Sequence, residues 1–261
     1  MLISQNNRGC KSFYVLLIML SVFFIGCSDK KTSSEEEKED GFVSIFDGQT
    51  LDGWVGDEPY WSVKDGAIHG QITDSTIIKR NRFLIYQGEV PNDFELKVEY
   101  RVSENGNSGI NYRSEVVKGI DFHALKGYQC DIDGQKRYVG SNYEERIRRT
   151  LASTGEVVTL PDTVDAASLN YAQRNMWTIR HVTGQTGLIE DILSNIKEND
   201  WNKVHLIVKG NRLQHYINGQ LMSDVTDNDT ANRRMDGKIG VQVHMGPPMT
   251  IEYRNFRIKA L

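Results

Sequence analysis

Phe94, Leu96, Val98, Tyr100 and Val102 alternate with Glu95, Lys97, Glu99 and Arg101. A period of two sends successive side chains to opposite faces, so this run can bury one face only as a β-strand. Val204, Leu206 and Val208 repeat the pattern, which continues through Gly210-Asn211 into Leu213 to Ile217 and then Asn218-Gly219. Asn-Gly between two alternating runs marks a tight hairpin, because a type I′ turn needs positive φ at both central residues. Asp47-Gly48, Asp65-Gly66 and Asp236-Gly237 punctuate the chain in the same way. Many short strands separated by such turns predict an all-β, antiparallel two-sheet sandwich or jelly roll. Between Thr150 and Asn199 the alternation fades. Asp165 to Gln173 and Thr186 to Lys197 read as short helices or an irregular insertion on that sandwich.

The amino terminus follows other rules. Arg8 and Lys11 precede an apolar run from Phe13 to Ile25 that ends in Gly26 and Cys27. A membrane-crossing helix needs about 20 apolar residues, so this shorter run with a basic flank reads as an export signal over residues 1–26. Phe24-Ile25-Gly26-Cys27 is similar to a lipobox, with Phe24 where Leu is usual, and predicts lipidation of Cys27. Ser28 to Gly41, SDKKTSSEEEKEDG, has nothing to bury and reads as a tether of about 20 Å mean reach. The expected organisation is signal 1–26, lipidated Cys and tether 27–41, and one domain over 42–261. The expected location is the cell envelope, with the lipid bilayer as a partner; Ser28 after the Cys favours the outer membrane.

Lys+Arg total 31 against 35 Asp+Glu, a net charge of -4. Such a balance supplies no grip on phosphate backbones, and nucleic acid is excluded as a partner. After cleavage Cys130 has no partner if Cys27 carries lipid, so no disulfide framework or Cys-based zinc site can form.

Strand phase also sorts the polar residues. Burying Ile110 and Tyr112 turns Asn111 and Arg113 to the other face, and burying Tyr128, Cys130 and Ile132 turns out Gln129 and Asp131. Burying Ile239, Val241 and Val243 turns out Gln242 and His244. In one sheet these side chains would make a face suited to a polyhydroxylated ligand. The same residues also fit a plain solvated face. His69, His123, His181, His205 and His215 read as ordinary surface or strand residues. Asp131-Ile132-Asp133-Gly134 is half a calcium loop without the remaining ligands at that spacing; no metal ligand is assigned, no cofactor is assured, and a divalent metal is left open. Tyr143 to Arg149 reads as a charged solvated segment.

Taken together, the strings Phe46-Asp47-Gly48, Leu51-Asp52-Gly53-Trp54, Trp61-Ser62-Val63-Lys64-Asp65-Gly66, Asn107-Ser108-Gly109-Ile110, Gly127-Tyr128-Gln129, Gly240-Val241-Gln242-Val243-His244 and Tyr253-Arg254-Asn255-Phe256 resemble the 3-keto-disaccharide hydrolase family. The resemblance runs from about Phe42 to Leu261. It implies a concanavalin A-like jelly-roll sandwich acting on 3-keto-glycosides, as a hydrolase or as a lyase or hydratase. The C3 ketone acidifies the C2 proton; a base removes it, the C1 substituent leaves, and water adds back.

Matched motif to motif, the resemblance implies Asp131 or His244 as base, Arg113 at the oxyanion and Glu144 as acid. Asn107, Asn111, Gln129 and Gln242 would bind substrate. Many members carry Glu and Gln where this chain has Gln129 and Asp131. A non-catalytic carbohydrate-binding lipoprotein of the same fold is the rival reading, with Trp177 as a candidate for a pocket wall. An ordinary endoglucanase is disfavoured by the absence of a Glu-x-Asp-x-x-Glu strand.

Overall fold

The computed structural model describes residues 41–162 and 171–261. The expected signal, Cys27 and nearly all of the tether lie outside the described residues. Two β-sheets face each other. In chain order the first comprises β1 (Val43–Ser44), β3 (Trp61–Lys64), β4 (Ala67–Ile72), β6 (Phe94–Val102), β11 (Glu156–Leu160), β14 (His181–Gln185), β15 (Asn202–Lys209), β16 (Arg212–Ile217), β17 (Gln220–Asp227) and β19 (Met249–Ala260). The second comprises β2 (Trp54–Gly56), β5 (Arg82–Tyr86), β7 (Asn107–Val116), β8 (Leu125–Asp133), β9 (Asn142–Glu145), β10 (Arg149–Ala152), β12 (Ala172–Gln173), β13 (Met176–Trp177) and β18 (Lys238–Val243).

Across the first sheet the order is β14-β11-β17-β16-β15-β6-β19-β4-β3, with β1 beside β19; across the second it is β12-β13-β10-β9-β8-β7-β18-β5-β2. Neighbours run antiparallel except β10 with β13 and β11 with β17. The expected sandwich is therefore present, and its central strands keep the expected phase. Phe94, Leu96, Val98, Tyr100 and Val102 are all buried, as are Val204, Leu206 and Val208. Ile110, Tyr112, Tyr128, Cys130, Ile132, Ile239, Val241 and Val243 meet them from the second sheet in one apolar cluster. Each fully buried side chain of this size contributes about 1.5–3 kcal/mol of transfer free energy. The Asn218-Gly219 turn takes the expected form, with φ of 51° and 82°.

The segment from Thr150 to Asn199 is not an insertion laid on the sandwich. Its described part extends both sheets, through β10, β12 and β13 on one and β11 and β14 on the other. Its two-residue strands and shifted registers hide the alternation. Asp165 falls outside the described residues, and the end of its proposed helix, Ala172 and Gln173, is strand. The second expected helix exists as α1 (Ile189–Ser194). Trp177 is buried against Tyr171 in the core, so it lines no pocket.

Two polar clusters cross the core. His215, read as an ordinary surface or strand residue, lies in β16 and is fully buried. Asn142 Nδ2 donates to Tyr112 Oη at 3.1 Å, so that hydroxyl donates to His215 Nε2 at 2.8 Å. Ser223 Oγ donates to the Gly140 carbonyl and therefore accepts from His215 Nδ1 at 3.2 Å. Burial lowers the His215 pKa to about 4 and keeps the ring neutral. Next to it, Arg148 joins Glu144, Asp227 and Asp229 with no solvent access.

Candidate active site

The outer face of the second sheet is not uniformly wet. Phe83, Ile85, Ala124 and Leu125 form a second apolar cluster there, flanked by Val116, Val117, Ile120 and Phe122. The chain from Val116 to Leu125 thus closes one half of the face and leaves the other open. The open half forms a cavity of about 330 Å³ lined by Asn81, Asn107, Gln129, Asp131, Tyr138, Tyr143, Glu145, Arg149, Thr150, Asn175, Gln242, His244 and Met245. That volume is in the range of small-molecule sites.

Strand register assembles its floor. Gly109 pairs with Asp131 and Asn111 with Gln129 across β7 and β8. Gly109 has no side chain to lift, and a Cβ there would sit 2.4 Å from Gln129 Cδ, so Gln129 lies across it. From that position Gln129 Nε2 donates to Asp131 Oδ1 at 2.7 Å, and Ser141 Oγ donates to Asp131 Oδ2 at 2.9 Å. Gln242 Nε2 bridges Gln129 Oε1 at 3.4 Å and Glu145 Oε2 at 3.2 Å. A continuous row of amides therefore links two carboxyls in one cavity.

Their electrostatics differ from those of surface acids. Burial, opposed by the Gln129 and Ser141 hydrogen bonds and reinforced by Glu145 and Asp133, raises the Asp131 pKa to about 7. Burial also raises that of Glu145, against the nearby Arg146 charge. His244 Nδ1 is 2.6 Å from the Met245 carbonyl, to which it must donate, leaving Nε2 as an acceptor. Burial lowers the His244 pKa and favours the neutral ring. Opposite stand Tyr143, its pKa raised to about 12 by burial, and Arg149, whose Nη1 donates to Tyr143 Oη at 3.4 Å and Asn175 Oδ1 at 3.3 Å.

Of the residues singled out in the sequence, this cavity gathers Asp131, His244, Asn107, Gln129 and Gln242. Asn111 is buried beside Gln129, with neither side-chain polar atom hydrogen-bonded, and does not reach the cavity.

Two others lie elsewhere. Arg113 has φ of 44° at a register shift between Tyr112 and Glu115, which turns its side chain out of phase. Its guanidinium is buried against the carbonyls of Asn92 at 2.6 Å and Gly210 at 2.7 Å, with Asp93 Oδ1 at 3.0 Å. Glu144 points into the core toward Arg148. The next residue, Glu145, occupies the cavity instead.

Sequence reading missed Glu145, Tyr143, Arg149, Asn175 and Asn81. The charged segment Tyr143 to Arg149 held the first three, but its phase was unreadable. Arg146 and Arg149 have positive φ, and no alternating apolar run fixes which Glu faces inward.

Among the described residues no group of three or more His, Cys, Asp or Glu is arranged to hold a metal ion. In the half-loop at Asp131 to Gly134, Asp133 instead accepts from the Gln135 and Arg137 backbone amides and from the Arg137 guanidinium.

The all-β sandwich and its carboxyl-and-amide cavity fix the fold and a small-molecule-sized polar site, and the sequence identifies the family. Residues 41–259 match the family described as the 3-keto-alpha-glucoside-1,2-lyase-like domain, and the chain belongs to that family. A 3-keto-disaccharide hydrolase of Bacteroides thetaiotaomicron is 36% identical over an alignment of 93 residues that covers 31% of this chain and 30% of that protein's length. Two solved structures from Parabacteroides distasonis, each described as a putative glycosyl hydrolase, share the fold. One has a TM-score of 0.53 at 18% identity, over 87% of this chain and 97% of its own. The other has a TM-score of 0.51 at 15% identity, over 84% and 99%.

Proposed function

We propose that this protein cleaves 3-keto-glycosides by elimination and rehydration in the Asp131 cavity. The observation that carries the reading is Asp131 itself, a carboxyl held near neutrality at about 7 inside a cavity rich in amides. A general base works best when its pKa lies near the working pH. Asp131 takes the C2 proton, and the electron pair moves toward the C3 oxygen as an enolate. The C1–O bond then breaks, the ketone re-forms conjugated to a C1=C2 double bond, and the departing oxygen takes a proton. Water adds its hydroxyl to C1 and a proton to C2, so the net reaction is hydrolysis.

The other wall residues fit the remaining tasks. Arg149, with Tyr143, offers donors to the enolate oxygen, the role that Arg113 cannot fill from its buried position. Glu145, its pKa raised by burial, supplies the proton to the leaving oxygen. His244 presents Nε2 as a second acceptor for the water that adds back. Gln129, Gln242 and Asn107 bind sugar hydroxyls. Incubating the purified protein with methyl 3-keto-glucoside and methyl glucoside tests this. Methanol release from the ketone alone supports it; saturable binding without turnover of the ketone contradicts it and favours a binding module.

The same proposal places the domain, residues 42–261, outside the inner membrane. Export through residues 1–26 and lipidation of Cys27 would hold it in the envelope on the 27–41 tether. Cys27→Ser should move the protein from the membrane fraction to the soluble one, and unchanged membrane association would refute the anchor.

A further inference from the structure

The Asp131 cavity does not end at His244. A second cavity of about 300 Å³ adjoins it and shares Asn107, Tyr138, His244 and Met245 with it. Its two sides differ in chemistry. Part of the polar side is paired internally: the Arg137 Nε and Nη2 donate to Asp133 Oδ2 at 2.9 Å and Oδ1 at 3.2 Å, and Gln135 Nε2 donates to Asn105 Oδ1 at 3.3 Å. The apolar groups are open. Tyr138 is 49% and Met245 47% exposed, and Gly246 and Pro247 continue the surface beyond them. Arg137, fixed by Asp133, lies 5.5 Å from the Tyr138 ring centroid and braces it. Tyr138 and Met245, both exposed, line the same cavity.

We propose that this second cavity is the leaving-group subsite, and that it takes an aromatic ring stacked on Tyr138 and touching Met245 and Pro247. Tyr138 and Met245 give this cavity an aromatic face and a thioether, and Arg137 beside them is already held by Asp133. An aromatic ring gains from a tyrosine face and a thioether together. The substrate class is then an aryl- or arylalkyl 3-keto-glycoside, with the keto sugar over Asp131 and the ring beyond His244. The inference rests on the Asp131 cavity holding the keto sugar.

The test compares benzyl and methyl 3-keto-glucosides, whose alcohols have nearly equal acidity, so leaving-group chemistry does not bias the ratio. Burial of the ring predicts a kcat/KM about tenfold higher for the benzyl substrate. Tyr138→Ala should bring the benzyl-to-methyl ratio close to one, and Tyr138→Phe should preserve it. A ratio near one in the wild type, or one that survives Tyr138→Ala, overturns the subsite. So does a 3-keto-disaccharide turned over faster than the benzyl compound. Calorimetry with unreactive benzyl and methyl glucosides separates the two readings. If neither ketone is turned over, the catalytic reading fails, but about tenfold tighter binding of benzyl glucoside, lost in Tyr138→Ala, still supports the subsite; equal binding refutes it.

Discussion

Gln129 Nε2 donates to Asp131 Oδ1 at 2.7 Å from two positions away on the same strand, so the amide that would bind a sugar also holds the carboxyl that would deprotonate it. The hydrogen bond favours the carboxylate while burial favours the acid, and the pKa near 7 is the balance in which burial dominates. Turnover through Asp131 should therefore rise with pH through about 7, as the carboxyl loses its proton. Asp131→Asn should lower kcat by about 10²- to 10⁴-fold, the range for loss of a general base. A pH–rate profile of wild type and variant checks both; a flat profile between pH 5 and 9 would count against Asp131.

The same shift has a stability consequence of opposite sign to the usual carboxylate. The folded pKa of Asp131 lies above the unfolded value near 3.8, so between about pH 4 and 7 the folded state binds more protons than the unfolded. Ionised Asp131 thus costs stability as pH rises through this window, and the cost is fully present above pH 7. Asp131→Asn should raise stability at pH 8 by about 1–3 kcal/mol and change it little at pH 4. Denaturant melts at the two pH values measure this, and a variant less stable at pH 8 would refute it.

Gly109 offers a test that removes no polar group. Gly109→Ala would put a methyl 2.4 Å from Gln129 Cδ, and Gln129 would have to leave its place beside Asp131. The expected result is a kcat loss of at least about tenfold with the fold retained, since a misplaced group costs rate out of proportion to its distance. Wild-type kcat in a correctly folded variant would show that the Gln129–Asp131 contact is dispensable.

The two displaced residues predict a contrast. Arg113 ties three backbone segments through Asn92, Gly210 and Arg234, so Arg113→Ala should destabilise by about 2–4 kcal/mol while the folded fraction keeps its kcat. Glu145→Gln should do the reverse, losing turnover with a small effect on melting. Equal kcat losses in both would return Arg113 to the reaction.

The long strands were legible because they bury one face without interruption: Phe94 to Val102 and Val204 to Val208 could be phased from the sequence alone. The same phase placed Gln129, Asp131, Gln242 and His244 on one surface. It failed at Arg113, where a residue with positive φ breaks the alternation, and it gave no phase for Glu144 and Glu145, where a four-residue strand ends in an irregular turn. Tyr143 in the four-residue β9, Arg149 at the start of β10 and Asn175 in the turn between β12 and β13 reach the cavity from elements too short to show a period. The burial of His215 in β16 and of Arg148 in the turn after β9 was not legible, because a polar or charged residue signals solvent unless its buried partners, Tyr112 and Asp227, are known.

The central claim is removal of the C2 proton by Asp131. Turnover of methyl 3-keto-glucoside in D2O, followed by NMR, reads it directly. Deuterium is expected at C2 of the released keto sugar with the wild type, and both labelling and methanol release slowed by about 10²-fold or more with Asp131→Asn. Methanol release with the C2 hydrogen retained, or undiminished labelling by Asp131→Asn, would contradict it.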